Sequence, residues 1–156
     1  MEISLVKADM DDCQLIHEMQ AKSYQELLDK YQDFDTNPGA EPLERIEWRM
    51  ALDIVDHYFI CFGSKKVGSL RVVKLDNDVF RLGSIFILPK YQGNGYAKQA
   101  ILKAEKLYLN AKKWALTTIK QEAKLRHLYE SLGYVATGQE EQIHDGMIIV
   151  YYQKEL

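Results

Sequence analysis

The stretch Gln92-Gly93-Asn94-Gly95-Tyr96-Ala97-Lys98 holds the most chemistry per residue in this chain. It lies between an apolar run, Ser84-Ile85-Phe86-Ile87-Leu88-Pro89, and a segment whose apolar residues recur at helical spacing. A helix start leaves its first backbone N–H groups without intrahelical acceptors and carries partial positive charge. Glycines just ahead of it let the backbone come close to a bound group, and Ala97 keeps the first turn small. Several donors pointing one way suit a diphosphate better than a single carboxylate.

Two other glycine-loop chemistries fit poorly. A Walker loop needs Gly-Lys followed by Ser or Thr, whereas Gly95 is followed by Tyr96. A dinucleotide fingerprint needs a small residue where Lys98 stands, and it opens a β-α-β unit, whereas strand-like runs precede this turn. From the turn alone, a plain strand-to-helix connection using glycine for geometry stands beside the anion site.

The rest of the chain narrows the chemistry by exclusion. A net charge of −3 disfavours general nucleic-acid binding, which clustered Lys and Arg carry. Cys13 and Cys61 form neither a metal-ligand pair nor a disulfide framework, and their usage fits a reducing cytoplasm. No metal site is expected. The N-terminus starts no signal peptide and no apolar run is long enough to span a bilayer, so no membrane partner is expected. At 156 residues with 47% apolar composition, the chain suits one domain over residues 1–156 with a sizeable core.

The elements that must position the turn follow from periodicity. Ile3 to Val6 reads as a first strand, and Asp11 and Asp12 precede a helix whose face is read as Leu15, Ile16, Met19, Ser23 and Leu27. A second helix is expected from Pro42 to Ile54, with Pro in its first turn. Runs at 58–62, 67–75 and 79–88, separated by Gly63-Ser64-Lys65-Lys66 and Asp76-Asn77-Asp78, read as an antiparallel meander. A helix over Ala97 to Tyr108, a strand from Trp114 to Ile119 and a helix carrying Leu125, Leu128, Tyr129 and Leu132 come next. Gly133 suits the left-handed position that ends this helix, and a hairpin turning near His144-Asp145-Gly146 closes the chain. The order β-α-α-β-β-β-α-β-α-β-β implies an α/β (α+β) fold: a mixed, mostly antiparallel sheet with helices on both faces.

In motif and order together the sequence resembles the GNAT superfamily of acetyl-CoA-dependent N-acetyltransferases. That family's signature is Gln or Arg, two residues, Gly, one residue, Gly or Ala; Gln92, Gly95 and Ala97 match it in register. The resemblance in element order covers nearly the whole chain. It implies that acetyl-CoA is the cosubstrate and that backbone groups of Ile85, Phe86 and Ile87 meet its pantetheine arm and acetyl carbonyl. It implies that the amides of Gln92, Gly93, Asn94, Gly95, Tyr96, Ala97 and Lys98 take the pyrophosphate. Lys98 either adds charge there or is a solvated helix-surface lysine, and the Asn94 side chain reads as an exposed turn residue.

Leu128-Tyr129-Glu130-Ser131-Leu132-Gly133-Tyr134 looks like the family's second segment, whose Tyr donates a proton to the leaving thiolate. Carried over, that residue is Tyr129; packing against Leu125 and Leu132 is the competing reading. An Asn that many members carry near the start of this helix is missing, since the segment reads Lys120-Gln121-Glu122-Ala123-Lys124.

The implied reaction is direct transfer of acetyl to a primary amine of a small molecule or peptide. A non-catalytic acyl-CoA-binding module is the alternative. Some members use a Glu on the strand before the turn as base, but Phe80-Arg81-Leu82-Gly83-Ser84 has no carboxylate. Glu140, Glu141 and His144 are open candidates, as is a water relay. Acidic residues Asp33, Asp35, Glu41 and Glu44 hint at attraction of a cationic acceptor. The assembly is expected to be a monomer or homodimer.

Overall fold

The structure is a computed structural model that describes residues 2–156. Its strands are β1 (Ile3–Lys7), β2 (Val55–Phe62), β3 (Lys65–Lys74), β4 (Val79–Ile87), β5 (Lys113–Ile119), β6 (Val135–His144) and β7 (Met147–Glu155). Its helices are α1 (Cys13–Tyr31), α2 (Leu43–Met50), α3 (Tyr96–Leu107) and α4 (Ala123–Ser131). The element order is the expected one.

All the strands join one sheet in the order β1-β2-β3-β4-β5-β7-β6. Every pairing is antiparallel except β4 with β5. That parallel pair is joined through α3, because parallel neighbours need a crossover. Side chains alternate across the sheet, so each face builds its own core. On one face α3 and α4 bury Ala100, Ile101, Ala104, Tyr129 and Leu132 against Leu70, Val72, Phe80, Leu82 and Trp114. On the other, α1 and α2 bury Cys13, Ile16, Met19 and Ile46 against Phe59, Cys61 and Phe86.

Two local expectations are corrected. The buried stripe of α1 is Cys13, Ile16, Met19, Gln20, Leu28 and Tyr31, whereas Leu15 is exposed. Leu15 instead borders an apolar hollow with Leu88 and Pro89. Helix α2 ends at Met50 rather than Ile54, because the Ile54 carbonyl already accepts from the Lys74 N–H at 2.7 Å as the sheet begins. Gly133 does take positive φ, at 96°, and lets the Tyr134 N–H return to the Tyr129 carbonyl at 3.1 Å.

Candidate active site

The sheet opens where β4 leaves β5. The parallel pairing consists of Val79 with Lys113, Phe80 with Trp114 and Arg81 with Ala115, and goes no further. On its other side β4 stays paired with β3, but with a register shift: Leu70 faces Ile85 while Val72 faces Leu82. The extra residue falls at Gly83-Ser84. Such a bulge bends and twists its strand, and here it coincides with the point where β4 and β5 part.

Beyond the bulge, Ile85-Phe86-Ile87 has a ladder on one side only. The Leu88 N–H donates to the Val67 carbonyl at 2.8 Å. Antiparallel alternation then points the Phe86 groups toward β3 and those of Ile85 and Ile87 away from it. The carbonyls agree: Ile85 O accepts from the Tyr24 hydroxyl at 3.0 Å, and Ile87 O from Gln92 Nε2 at 2.9 Å. The outward N–H groups of Ile85 and Ile87 have no β5 partner.

After the bonded amides of Leu88, Tyr91 and Gln92, the turn supplies a second set of free donors. Gly93 and Gly95 adopt left-handed φ of 82° and 76°. A Cβ at either would meet nothing within 4 Å, so the left-handed turn itself, rather than crowding, requires glycine. The first main-chain donor of α3 with an acceptor is the Gln99 N–H, bonded to the Gly95 carbonyl at 3.2 Å. Gly93 through Lys98 therefore present N–H groups at the positive end of α3. Asn94 folds its amide onto the Tyr91 carbonyl at 2.9 Å, holding the turn, and Lys98 is exposed. Tyr96 stacks on Phe62 with ring centroids 5.1 Å apart.

Tyr129 lies near Tyr24, whose hydroxyl meets Ser84 and Ile85 on β4. It is buried in the α3–α4 core, edge-on to Tyr134 at 6.3 Å. Burial, and to a lesser degree Tyr24, push its hydroxyl above the ordinary phenol range, so at neutral pH it carries a proton. Tyr24 reaches the same strand from the opposite face, touching Ser84 Oγ at 3.2 Å as well as Ile85 O. Sequence reasoning misses Tyr24, because the helical stripe it draws runs through Ser23 and Leu27.

Other candidates are dispersed. Lys120 holds Glu140 at 3.0 Å, and Glu141 accepts from the Tyr151 hydroxyl at 3.1 Å. His144 lines a separate hollow of about 370 Å³ with Asp33, Asp35 and Thr36. The acidic loop is partly consumed internally: Asp33 accepts from the Thr36 N–H and hydroxyl, and Glu41 pairs with Arg49. The Gln121 carboxamide oxygen accepts from the Ile148 N–H at 3.1 Å, tying the start of α4 to β7. Among the described residues no group of three or more His, Cys, Asp or Glu is placed to hold a metal ion, and no helix is long and apolar enough to cross a membrane.

Comparison with known proteins accounts for this geometry. The Acetyltransferase (GNAT) domain family model matches residues 18–156. Among solved structures, the chain is similar to a spermidine N-acetyltransferase from Vibrio cholerae in complex with CoA and spermine. That match has TM-score 0.79 and 18% identity, covering 99% of this chain and 95% of that one. An acetyltransferase from Thermus thermophilus gives TM-score 0.78 at 14% identity over 100% and 98% of the two chains. A PaiA N-acetyltransferase from Thermoplasma acidophilum in complex with coenzyme A gives 0.74 at 14% over 100% of both. No curated protein matches the chain. The chain belongs to the GNAT acetyltransferase family, and is an acyltransferase by that membership.

Proposed function

We propose, with family membership as the premise, that this acyltransferase moves the acetyl group of acetyl-CoA directly to a primary amine of a small molecule or peptide, in the opening between β4 and β5. One observation carries the reading. Two sets of unpartnered main-chain donors, Gly93–Lys98 and the outward amides of Ile85 and Ile87, lie on either side of the short turn after β4, and Tyr129 belongs to the core cluster that holds Ile85 and Ile87. The residues fit an extended thioester that ends in a diphosphate. Amides of Gly93 to Lys98 would take the diphosphate, and the outward groups of Ile85 and Ile87 the pantetheine arm by added ladder bonds. Against expectation, the Gln92 N–H already donates to the Pro89 carbonyl at 3.3 Å and the Phe86 groups are turned to β3.

The chain's own groups then have defined tasks. Both binding ends sit on a strand and a helix terminus, so the acetyl carbonyl is fixed before the acceptor arrives. The Ile87 N–H, turned away from β3, stabilises negative charge that develops on the carbonyl oxygen. As the nitrogen–carbon bond forms and the carbon–sulfur bond breaks, Tyr129 gives its proton to the sulfur. Burial keeps that phenol neutral and therefore able to donate. The open strand has no carboxylate, so the acceptor enters neutral or loses its proton to water.

The same reading covers residues 1–156 as one N-acetyltransferase domain. It places the protein in the cytoplasm, which the free, buried Cys13 and Cys61 fit. A calorimetric titration with CoA, followed by thiol release from acetyl-CoA across a panel of amines, tests it. Binding and amine-dependent release are expected. Folded protein that binds no CoA would sink the reading.

A further inference from the structure

Arg71, on β3, is a half-buried cation without an ion-pair partner among the described residues. A Cβ built on Gly83 would lie 2.5 Å from its Nε and 2.9 Å from its Nη2, so the guanidinium rests against the β4 bulge. Nε is buried and makes no hydrogen bond. Among the described residues no carboxylate lies within ion-pair distance of Arg71. Glu41, between α1 and α2, is already paired with Arg49.

The surroundings add to the imbalance. Burial, with Arg81 and Arg45 nearby, lowers the Arg71 pKa to about 10, and Tyr24 acts the other way. His57 stands directly opposite Arg71 in the β2–β3 register, and burial with Arg71 and Arg49 lowers its pKa to about 4. A desolvated cation among like charges is costly unless an anion meets it. A planar guanidinium is the side chain best matched to a carboxylate.

The place of this cation relates it to the reaction. Gly83 is followed by Ser84, whose hydroxyl Tyr24 touches, and then by Ile85, where the open half of β4 begins. The Arg71 head is on the α1–α2 side, whereas the donor-rich helix start belongs to α3 on the opposite side. It is therefore on the face away from the diphosphate end, where an acceptor approaching the open strand past α1 and α2 would meet it. Gly83 and Ile85 are two residues apart on a strand that rises about 3.4 Å per residue. An anion beside Gly83 and a nitrogen beside Ile85 are thus roughly 5–7 Å apart, since the bulge shortens the straight-strand span. That exceeds the reach from an α-amino group to its own carboxylate, and suits a side-chain amine or the N-terminus of a dipeptide.

We propose that Arg71 sets acceptor specificity by receiving the carboxylate of an amino acid or short peptide whose reacting amine lies several bonds away. This rests on the acetyl-transfer reading and gives it a substrate class. It sets the chain apart from a polyamine acceptor, which has no anion to offer and would meet Arg45, Arg71 and Arg81 with like charge.

The test uses acceptor pairs that differ at one carboxylate: lysine and cadaverine, ornithine and putrescine, glycylglycine and its C-terminal amide. Thiol release should show kcat/KM at least about tenfold higher for the carboxylated members, the scale of a hydrogen bond to a charged group. Arg71→Gln should erase that preference through KM, and Arg71→Lys should keep part of it. CoA affinity, measured on each protein, reports the fold; should the Gln variant not fold, the Lys variant carries the comparison. Bound CoA with equal or better use of the carboxylate-free amines overturns this assignment alone. So does bound CoA without turnover of any carboxylated member, or an Arg71→Gln protein that keeps the full preference. Parent protein that binds no CoA overturns the acetyl-transfer reading, and this assignment with it.

Discussion

The two halves of β4 are built from similar residues and serve different ends. Val79 to Leu82 is paired on both sides for most of its length and packs Phe80 between Tyr108 and Trp114, with ring centroids at 4.9 and 5.4 Å. Ile85 to Ile87 is equally apolar, yet one edge of its backbone is left without a strand. The difference comes from the bulge at Gly83-Ser84, not from composition. Closed backbone contributes stability; open backbone held rigid by its neighbour is what a ligand can pair with.

Substitutions on either side of the bulge should therefore act on different observables. The largest effect is expected at the open end. Gly95→Asp places a carboxylate where diphosphate is proposed to sit, and should weaken CoA binding by at least about 100-fold, since like charges in contact cost several kcal/mol. The space around Gly95 is empty and Asp tolerates left-handed φ, so the fold should survive. Calorimetry on protein with unchanged circular dichroism checks this, and undiminished binding would move the diphosphate elsewhere.

Tyr129→Phe keeps the ring and its packing and should lower kcat by about 100-fold where proton transfer limits the rate, with little change in the KM for acetyl-CoA. Equal turnover in the two proteins, with chemistry rate-limiting, would return Tyr129 to the core. Phe80→Ala, in the closed half, should do the reverse. It should remove about 3–5 kcal/mol of unfolding free energy while folded protein keeps its CoA affinity. Denaturant unfolding and calorimetry on the same sample would show whether stability and binding separate in this way.

The smallest effect is a slope. His57, on the fully paired β2, is neutral in the folded protein down to about pH 4, whereas an unfolded histidine takes up its proton near 6.5. Between those values the unfolded chain holds the extra proton, so stability falls as pH falls. The slope from this residue is at most about 1.4 kcal/mol per pH unit. His57→Gln should flatten urea-unfolding stability across that window. An unchanged slope would place the acid sensitivity in other groups.

Much of the architecture can be read from the residues, because it rests on local patterns. The alternation around Gly63 and Asn77 yields the meander, and the helical spacing after Gly95 yields α3. The turn's role is readable too, since Gly93, Gly95 and Ala97 mark a close approach to backbone by their types alone. The opening itself is not. Gly83-Ser84 inside an apolar run is a bulge signal, but which strand parts from which depends on the parallel pairing that ends at Arg81. Arg71 interrupts the apolar run 67–75 and passes for an outward-facing strand residue until the register sets it opposite His57 and against Gly83. The stripe of α1 is misread because Leu15 and Leu27 are apolar without being central to its contact with the sheet.

The short parallel seam has a consequence for assembly of the chain. The β2-β3-β4 meander and the β6-β7 hairpin each close over short loops, whereas β4 meets β5 only after the whole of α3 has been placed. Contacts that close longer loops pay more chain entropy before they are rewarded. The meander and the hairpin are therefore expected to acquire protection in pulse-labelled hydrogen exchange before the amides of the seam. Strand β1, which closes a still longer loop onto β2, is expected after the meander and the hairpin as well. On that order of events, capacity for ligand comes only after both local sheet units of the newly made chain are in place.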